Sequence, residues 1–424
     1  MIKKHLSSNT SRRTFLRSAG AVSCVGAFPL IGCGAASRVV VVGGGYAGAT
    51  AARQVKLLDP SVDVTLVEPE KTYTSCPFSN SYLAGLIEWP GLLHGYDGLR
   101  KAGVTVVHDR ASGIDSSKRL LSLQSGSTLS YDRLIVAPGI DFRWGKGYTA
   151  ESAETVPHAW KAGAQTVLLR EQLQAMDDGG LVILCPPPNP YRCPPGPYER
   201  ASLIAWYLKQ EKPRSKLLIL DPKAKFSKQA LFEEGWAHHY GDMIEWVAAD
   251  QGGAPARVDA KSMTVSTDFD DFQGDVINFI PSQKAGALAN TLDLIDEYFW
   301  CPVNLLTFES TRHPNVHVIG DAAELPGMPK SATVANTAAK GCAAVVVSLL
   351  KGIDLAPPVT TNTCYSLVAP NHGITTVGVW EATETIFHPL SAGISPTGQN
   401  PAYRKKEADY ARSWYTNLTT GIWG

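Results

Sequence analysis

The chain has 424 residues, 44% of them hydrophobic, and its 39 basic and 39 acidic side chains cancel to a formal net charge of zero. That length allows two or three domains, and the composition excludes a fibrous or low-complexity chain. Charge balance argues against nucleic acid or an anionic membrane surface as the main partner.

Read in chain order, Ser11-Arg12-Arg13-Thr14-Phe15-Leu16-Arg17 is a twin-arginine sequence, and an apolar run follows over residues 19–32. The run is too short to span a bilayer as a mature helix, so residues 1–36 read as a signal for twin-arginine export to the periplasm. That route carries folded proteins, which allows a cofactor to be loaded first. Leu30-Ile31-Gly32-Cys33 also has the form of a lipoprotein signal, with Cys33 acylated, and cleavage after Ala35 or Ala36 competes with it. No other stretch reads as long and apolar enough to cross a membrane.

Residues 38–42 form a β-branched strand that runs straight into Gly43-Gly44-Gly45-Tyr46-Ala47-Gly48. A helix over 49–58 and a strand over 62–68 complete a βαβ opening. Further strands are expected at 104–108, 120–123 and 134–139. A helix at 165–176 and a strand at 180–184 open a second α/β unit, which continues with strands at 217–221 and 276–281. A late strand over 316–321 ends in Gly320-Asp321, and an Ala/Val-rich helix follows over 331–350. The last seventy or so residues read as irregular, and 382–424 shows no sustained helical apolar face. The fold class this predicts is α/β, with two Rossmann-like dinucleotide-binding-type domains as in the disulfide-reductase-like flavoproteins, plus a small C-terminal domain.

Gly43-x-Gly45-x-x-Gly48 gains its meaning from context. It follows a strand and opens a helix, so the backbone can turn tightly and N–H groups can approach a pyrophosphate at the helix N-terminus. Glu68, twenty residues past Gly48, ends the second strand where a carboxylate can accept hydrogen bonds from a ribose. Asp321 at the end of the late strand suits the ribityl and isoalloxazine end of a flavin, so the pairing of the two motifs predicts FAD. At the matching turn of the second unit stand Pro186-Pro187-Pro188. Proline has no N–H to donate, so nicotinamide is an unexpected partner for that half.

Eight cysteines occur, two of them, Cys24 and Cys33, in the leader; Cys76, Cys185, Cys193, Cys301, Cys342 and Cys364 remain. Disulfides persist outside the cytoplasm. No Cys-x-x-Cys or Cys-x-x-Cys-His occurs, which excludes c-type haem attachment on this chain and argues against a zinc ribbon.

Several segments together resemble the flavoprotein subunit of flavocytochrome c sulfide dehydrogenase. They include Tyr73-Thr74-Ser75-Cys76 with Ser79-Asn80, His94-Gly95-Tyr96-Asp97-Gly98-Leu99-Arg100 and Cys193-Pro194-Pro195-Gly196-Pro197-Tyr198-Glu199-Arg200. Phe226-Ser227-Lys228-Gln229, Trp300-Cys301-Pro302-Val303, Met328-Pro329-Lys330-Ser331 and Asn362-Thr363-Cys364-Tyr365-Ser366 continue the match in order. The resemblance implies domains at 37–148 (FAD, first part), 149–284 (second, rebuilt Rossmann-like unit), 285–355 (FAD, second part) and 356–424 (C-terminal interface). It implies a thioether from Cys76 to the flavin, although Pro77 replaces the family's tyrosine-rich surroundings, and a redox-active Cys193–Cys364 disulfide with Glu199 moving protons. A plain bridge closing a loop of that length would contribute about 4–5 kcal/mol, and Cys185 stands close enough in sequence to compete with Cys193. A solvated Glu199 at a helix start is the alternative to a catalytic one. The implied activity is oxidation of sulfide to sulfur or polysulfide. Electrons then pass to a c-type cytochrome subunit or another soluble electron-accepting protein, the haem lying only on that partner. A membrane-docked sulfide:quinone oxidoreductase and a flavin electron-transfer subunit without sulfide chemistry are the other readings.

Overall fold

The computed structural model describes residues 36–424; the twin-arginine segment and Cys33 lie outside them. In chain order the principal elements begin with β1 (Arg38–Val42), α1 (Tyr46–Leu58), β2 (Asp63–Val67), β3 (Thr105–Val107) and β4 (Arg133–Val136). Then come α2 (Ala164–Ala175), β5 (Leu181–Cys185), α3 (Gly196–Glu211), β6 (Lys216–Leu220), α4 (Gln229–His239), β7 (Ile244–Val247) and β8 (Val276–Phe279). The chain continues with β9 (Val316–Val318), α5 (Ala332–Lys351), β10 (Val359–Ala369), β11 (His372–Ala382), β12 (Phe387–Ile394) and α6 (Pro401–Trp423).

Two parallel sheets carry the α/β halves. The first has the order β9-β4-β1-β2-β3 and the second β7-β6-β5-β8. Their strands read as unbroken aliphatic runs because parallel sheets are covered on both faces: Val39 to Val42 are each 3% exposed or less. Residues 140–143 and 282–285 pair antiparallel, so the chain leaves the first unit and returns to it along one ribbon. This is the predicted α/β class with two Rossmann-like units and a further C-terminal portion.

Helix α1 starts at Tyr46, earlier than expected, because Gly45 takes the N-cap position. Helix α5 is capped by Ser331, whose hydroxyl accepts from the Val334 N–H, and ends at Gly352 with φ 65°. By length and composition α5 could cross a membrane, contrary to expectation. It packs along α1, however, with Ala338, Ala339, Cys342 and Val346 fully buried, as a core helix does.

The C-terminal region corrects the sequence reading more strongly. It is an antiparallel meander β10-β11-β12 followed by the 23-residue helix α6. The buried stripe of α6 contains Arg404, Glu407, Ala408, Ala411, Thr419, Ile422 and Trp423. Two of those seven are charged, and they satisfy each other: Arg404 bonds Glu407 (3.3 Å) and Glu234 of α4 (2.9 Å). An ion pair in the buried face hides the apolar period. Strand β10 packs on α3 and α5, and β11 on α6, so the meander sits where both α/β units meet.

Candidate flavin and dithiol site

The turn after β1 is forced by close backbone approach. Gly43 has φ 100°, and a Cβ there would lie 2.4 Å from the Ala137 carbonyl oxygen; a Cβ at Gly48 would lie 1.9 Å from the Gly43 oxygen. No side chain caps α1, so its first-turn N–H groups are left for a ligand. Gly45, Tyr46 and Ala47 line a cavity of about 900 Å³ that runs from this turn to the meander. Gly48 shapes the turn without lining it.

Glu68 lines the same cavity, its carboxylate oriented by N–H donors from Gly44 (2.6 Å) and Glu70 (3.0 Å). At the opposite side Asp321, in the turn after β9, also lines it and pairs with Arg192 at 3.6 Å. The Arg192 guanidinium also reaches the sulfur of Cys76 (3.3 Å), which accepts a second bond from the Ala162 N–H (3.3 Å). Uncapped helix, close-packed glycines, two carboxylates and one long cavity fit an FAD dinucleotide. The donor Arg192 was missed in the sequence, although it directly precedes Cys193.

In the second unit the turn after β5 is replaced by a loop over residues 186–195, and α3 starts only at Gly196. Asp221 follows β6 as Glu68 follows β2, but it is fully buried and used up. It accepts from Tyr198 Oη (2.5 Å), Trp246 Nε1 (3.0 Å) and Lys223 Nζ (2.7 Å), and Lys223 also binds the Pro187 oxygen (2.8 Å). The ribose position of a second dinucleotide is therefore filled by side chains.

The long loop carries Cys193 into the cavity, with φ 57° and its N–H on the Lys330 oxygen (2.7 Å). Such a φ is costly for a non-glycine residue and is concentrated at functional sites. Cys364, from β10, lines the same cavity beside it, and both are free thiols that act on each other's titration. The neighbouring Cys193 thiol pulls Cys364 down to about 7, with burial opposing and the Lys228 ammonium helping. Cys193 is pushed up by its interaction with Cys364 and by burial. Cys185, by contrast, is fully buried among Ile183, Leu220 and Phe279 and does not line the cavity.

Glu199, in the first turn of α3, faces the cavity rather than solvent. Its oxygens accept from Asn80 Nδ2 (2.9 Å) and the Leu367 N–H (2.8 Å), and burial raises its pKa above the ordinary carboxylate value. Arg200, 1% exposed, braces this wall by donating to Asn80 (3.0 Å), Asn278 (2.9 Å) and the Ala159 oxygen (2.6 Å). Gly43, Gly45, Glu68, Cys76, Cys193, Glu199, Asp321 and Cys364 thus share one cavity, although the sequence scatters them from 43 to 364.

Three family models match consecutive stretches: pyridine nucleotide-disulphide oxidoreductase over residues 37–161, the central part of the sulfide dehydrogenase (flavocytochrome c) flavoprotein chain over 166–281, and the flavocytochrome c sulphide dehydrogenase flavin-binding domain over 356–423. The sulfide dehydrogenase flavoprotein chain of Chlorobaculum thiosulfatiphilum is 59% identical over 44 residues, 10% of this chain and 92% of that sequence. The mitochondrial sulfide:quinone oxidoreductase of Mus musculus is 24% identical over 322 residues, covering 70% of this chain and 68% of that one. Among solved structures, the sulfide:quinone oxidoreductase of Aquifex aeolicus has the same fold at a TM-score of 0.68 and 18% identity, covering 91% and 92% of the two chains. Gly43, Gly45, Glu68, Cys76, Cys193, Glu199 and Cys364 stand within the stretches these models describe, with Asp321 between the last two stretches, and the chain belongs to the flavocytochrome c sulfide dehydrogenase flavoprotein family.

Proposed function

We propose that the protein oxidises hydrogen sulfide through a Cys193–Cys364 disulfide and FAD and passes the electrons to a c-type cytochrome subunit. The observation that carries this is the meeting of Cys193, Cys364 and Glu199 in the cavity that the dinucleotide cradle also lines. Hydrosulfide opens the disulfide, leaving a persulfide on one cysteine and a thiolate on the other. A second sulfide releases the sulfur as a disulfide or polysulfide, and Glu199, buried and raised, takes and returns the protons. Bound FAD supplies the two-electron acceptor and one-electron donor that thiols lack. Gly43, Gly45, Glu68 and Asp321 would hold it, and Cys76, which lines the cavity and accepts from Arg192, would be the thioether donor.

Because the tail ends in the helix α6, it does not by itself separate a cytochrome from a quinone acceptor. The cytochrome reading draws its support from the family itself. Twin-arginine export of residues 37–424 to the periplasm, with Cys33 either acylated or removed, belongs to the same proposal.

The test is anaerobic mixing with sulfide, followed by cytochrome c or a short-chain quinone as acceptor. Sulfide bleaches the flavin in the parent, and cytochrome c reoxidises it faster than the quinone. Cys193→Ser and Cys364→Ser each keep the flavin but lose bleaching; a folded serine variant that bleaches at the parent rate refutes the disulfide route.

A further inference from the structure

A buried ammonium that the sulfide chemistry above does not use lies behind the dithiol. Lys228 is 6% exposed and holds φ 61° at the N-cap of α4. Its Nζ donates to the Cys364 carbonyl oxygen (2.7 Å), Ser366 Oγ (2.9 Å) and the Ile374 oxygen (3.3 Å). All three acceptors belong to the meander, and none is a carboxylate. A desolvated cation without an ion-pair partner is expensive, so its retention beside a redox pair calls for a reason.

Cys193 faces the Arg192 and Arg200 guanidinium groups and, across the pair, Lys228 as well, but gains nothing from the helix that follows it. A helix N-terminus usually favours a thiolate, and α3 begins three residues after Cys193. Yet Pro194, Pro195 and Pro197 have no N–H. The Gly196 N–H is taken by the Cys193 carbonyl (2.8 Å), and those of Tyr198 and Glu199 by the Pro195 carbonyl (3.2 and 3.1 Å). The first turn of α3 has nothing left to give a sulfur anion.

We propose that Lys228 is the positioning residue that makes Cys364 the sulfur that leaves as thiolate, so that hydrosulfide attacks Cys193. This rests on the reading that the pair cycles as a disulfide. In the step, a hydrosulfide electron pair forms the new bond to Cys193 Sγ and the Cys193–Cys364 bond breaks. Its electron pair stays on Cys364 Sγ, giving Cys193–S–SH and a Cys364 thiolate with no oxidant consumed. The better-stabilised thiolate is the better leaving group. Charged and titratable groups facing Cys364 are Cys193 from the loop, Lys228 from the start of α4 and Glu199 from α3; Lys228 itself faces Cys364 most strongly, then Glu199, Cys193 and Glu407 of α6. The neighbouring Cys193 thiol lowers Cys364 most; of the two charged groups, Lys228 favours the thiolate and Glu199 opposes it.

Two measurements test the assignment. Alkylation of the reduced holoprotein across pH, read peptide by peptide by mass spectrometry, finds Cys364 reactive at lower pH than Cys193. In Lys228→Met the Cys364 midpoint rises by about one unit or more, about a tenfold loss of rate at neutral pH. Independently of any variant, one equivalent of isotope-labelled sulfide added to the oxidised parent and quenched in acid puts the label on the Cys193 peptide. Label on the Cys364 peptide, or an unmoved midpoint in a folded Lys228→Met, overturns the role of Lys228 while the disulfide route stands. A parent in which dithiothreitol exposes no additional pair of thiols removes the disulfide route and this assignment together.

Discussion

Glu199 shows how a single position changes meaning once its surroundings are known. In sequence it is a carboxylate at a helix start; in the fold it is held by Asn80 and the Leu367 N–H and raised by burial. Because the raised pKa keeps it protonated to higher pH, its service as a base grows as pH climbs through that value. Glu199→Gln is therefore expected to slow flavin reduction by sulfide by about 100-fold or more and to erase the acidic limb of the rate–pH profile, with flavin content unchanged. Cys76 makes a second prediction: acid precipitation leaves the yellow colour in the pellet of the parent and in the supernatant of Cys76→Ser. Colour in the supernatant of the parent would refute the thioether while leaving FAD binding intact. Glycine and carboxylate positions were legible because strand, turn and helix surround them in sequence. Arg192 and Lys228 were not, since the sulfur of Cys76 and the carbonyl of Cys364 that they reach are 116 and 136 positions away.

Among the elements, β5 and the loop after it decide which electron donor is accepted. Its prolines, together with the sealed Asp221–Lys223 pair, leave the second unit no phosphate turn and no free ribose carboxylate. NADH mixed anaerobically with the holoprotein is expected to bleach no flavin within the time in which sulfide bleaches it; rapid bleaching would mean that a nucleotide finds another way in. Parallel strands were readable as aliphatic runs, and so was α5 from its Ala/Val content. Helix α6 was not, because Arg404 and Glu407 occupy its buried stripe. Strand β10 escaped as well: Thr360, Asn362 and Ser366 are buried polar residues, and the last two are bonded across elements, Asn362 to Ser331 (2.7 Å) and Ser366 to Lys228 (2.9 Å).

At the scale of the whole molecule, three buried histidines and the half-buried His239 have their protons held off. Burial lowers His158 to about 3 and His317, His239 and His372 to about 4, the last two sharing a 2.9 Å contact between α4 and β11. In the unfolded chain they protonate near the ordinary value of about 6.5. Acid thus favours the unfolded state: the contribution is nil above about 6.5, and stability is lost as pH falls from there toward 4. The melting temperature is expected to decline over that window, and His372→Asn to flatten the decline; a flat profile in the parent would contradict it. The two-unit architecture could be read from the order of strands, while the position of the meander between the units could not, because it depends on contacts between distant segments.

Trp423 stacks on Tyr73 and His94, and its indole N–H bonds the Gly44 oxygen (3.2 Å), a contact spanning 379 positions. The turn that is translated first is therefore finished by a residue that leaves the ribosome hundreds of residues later. A nascent chain holds an incomplete cradle, and closing so long a loop is entropically slow. Flavin capture becomes a late event in the life of the polypeptide, after synthesis has passed α6, which suits a protein proposed to travel folded and already loaded.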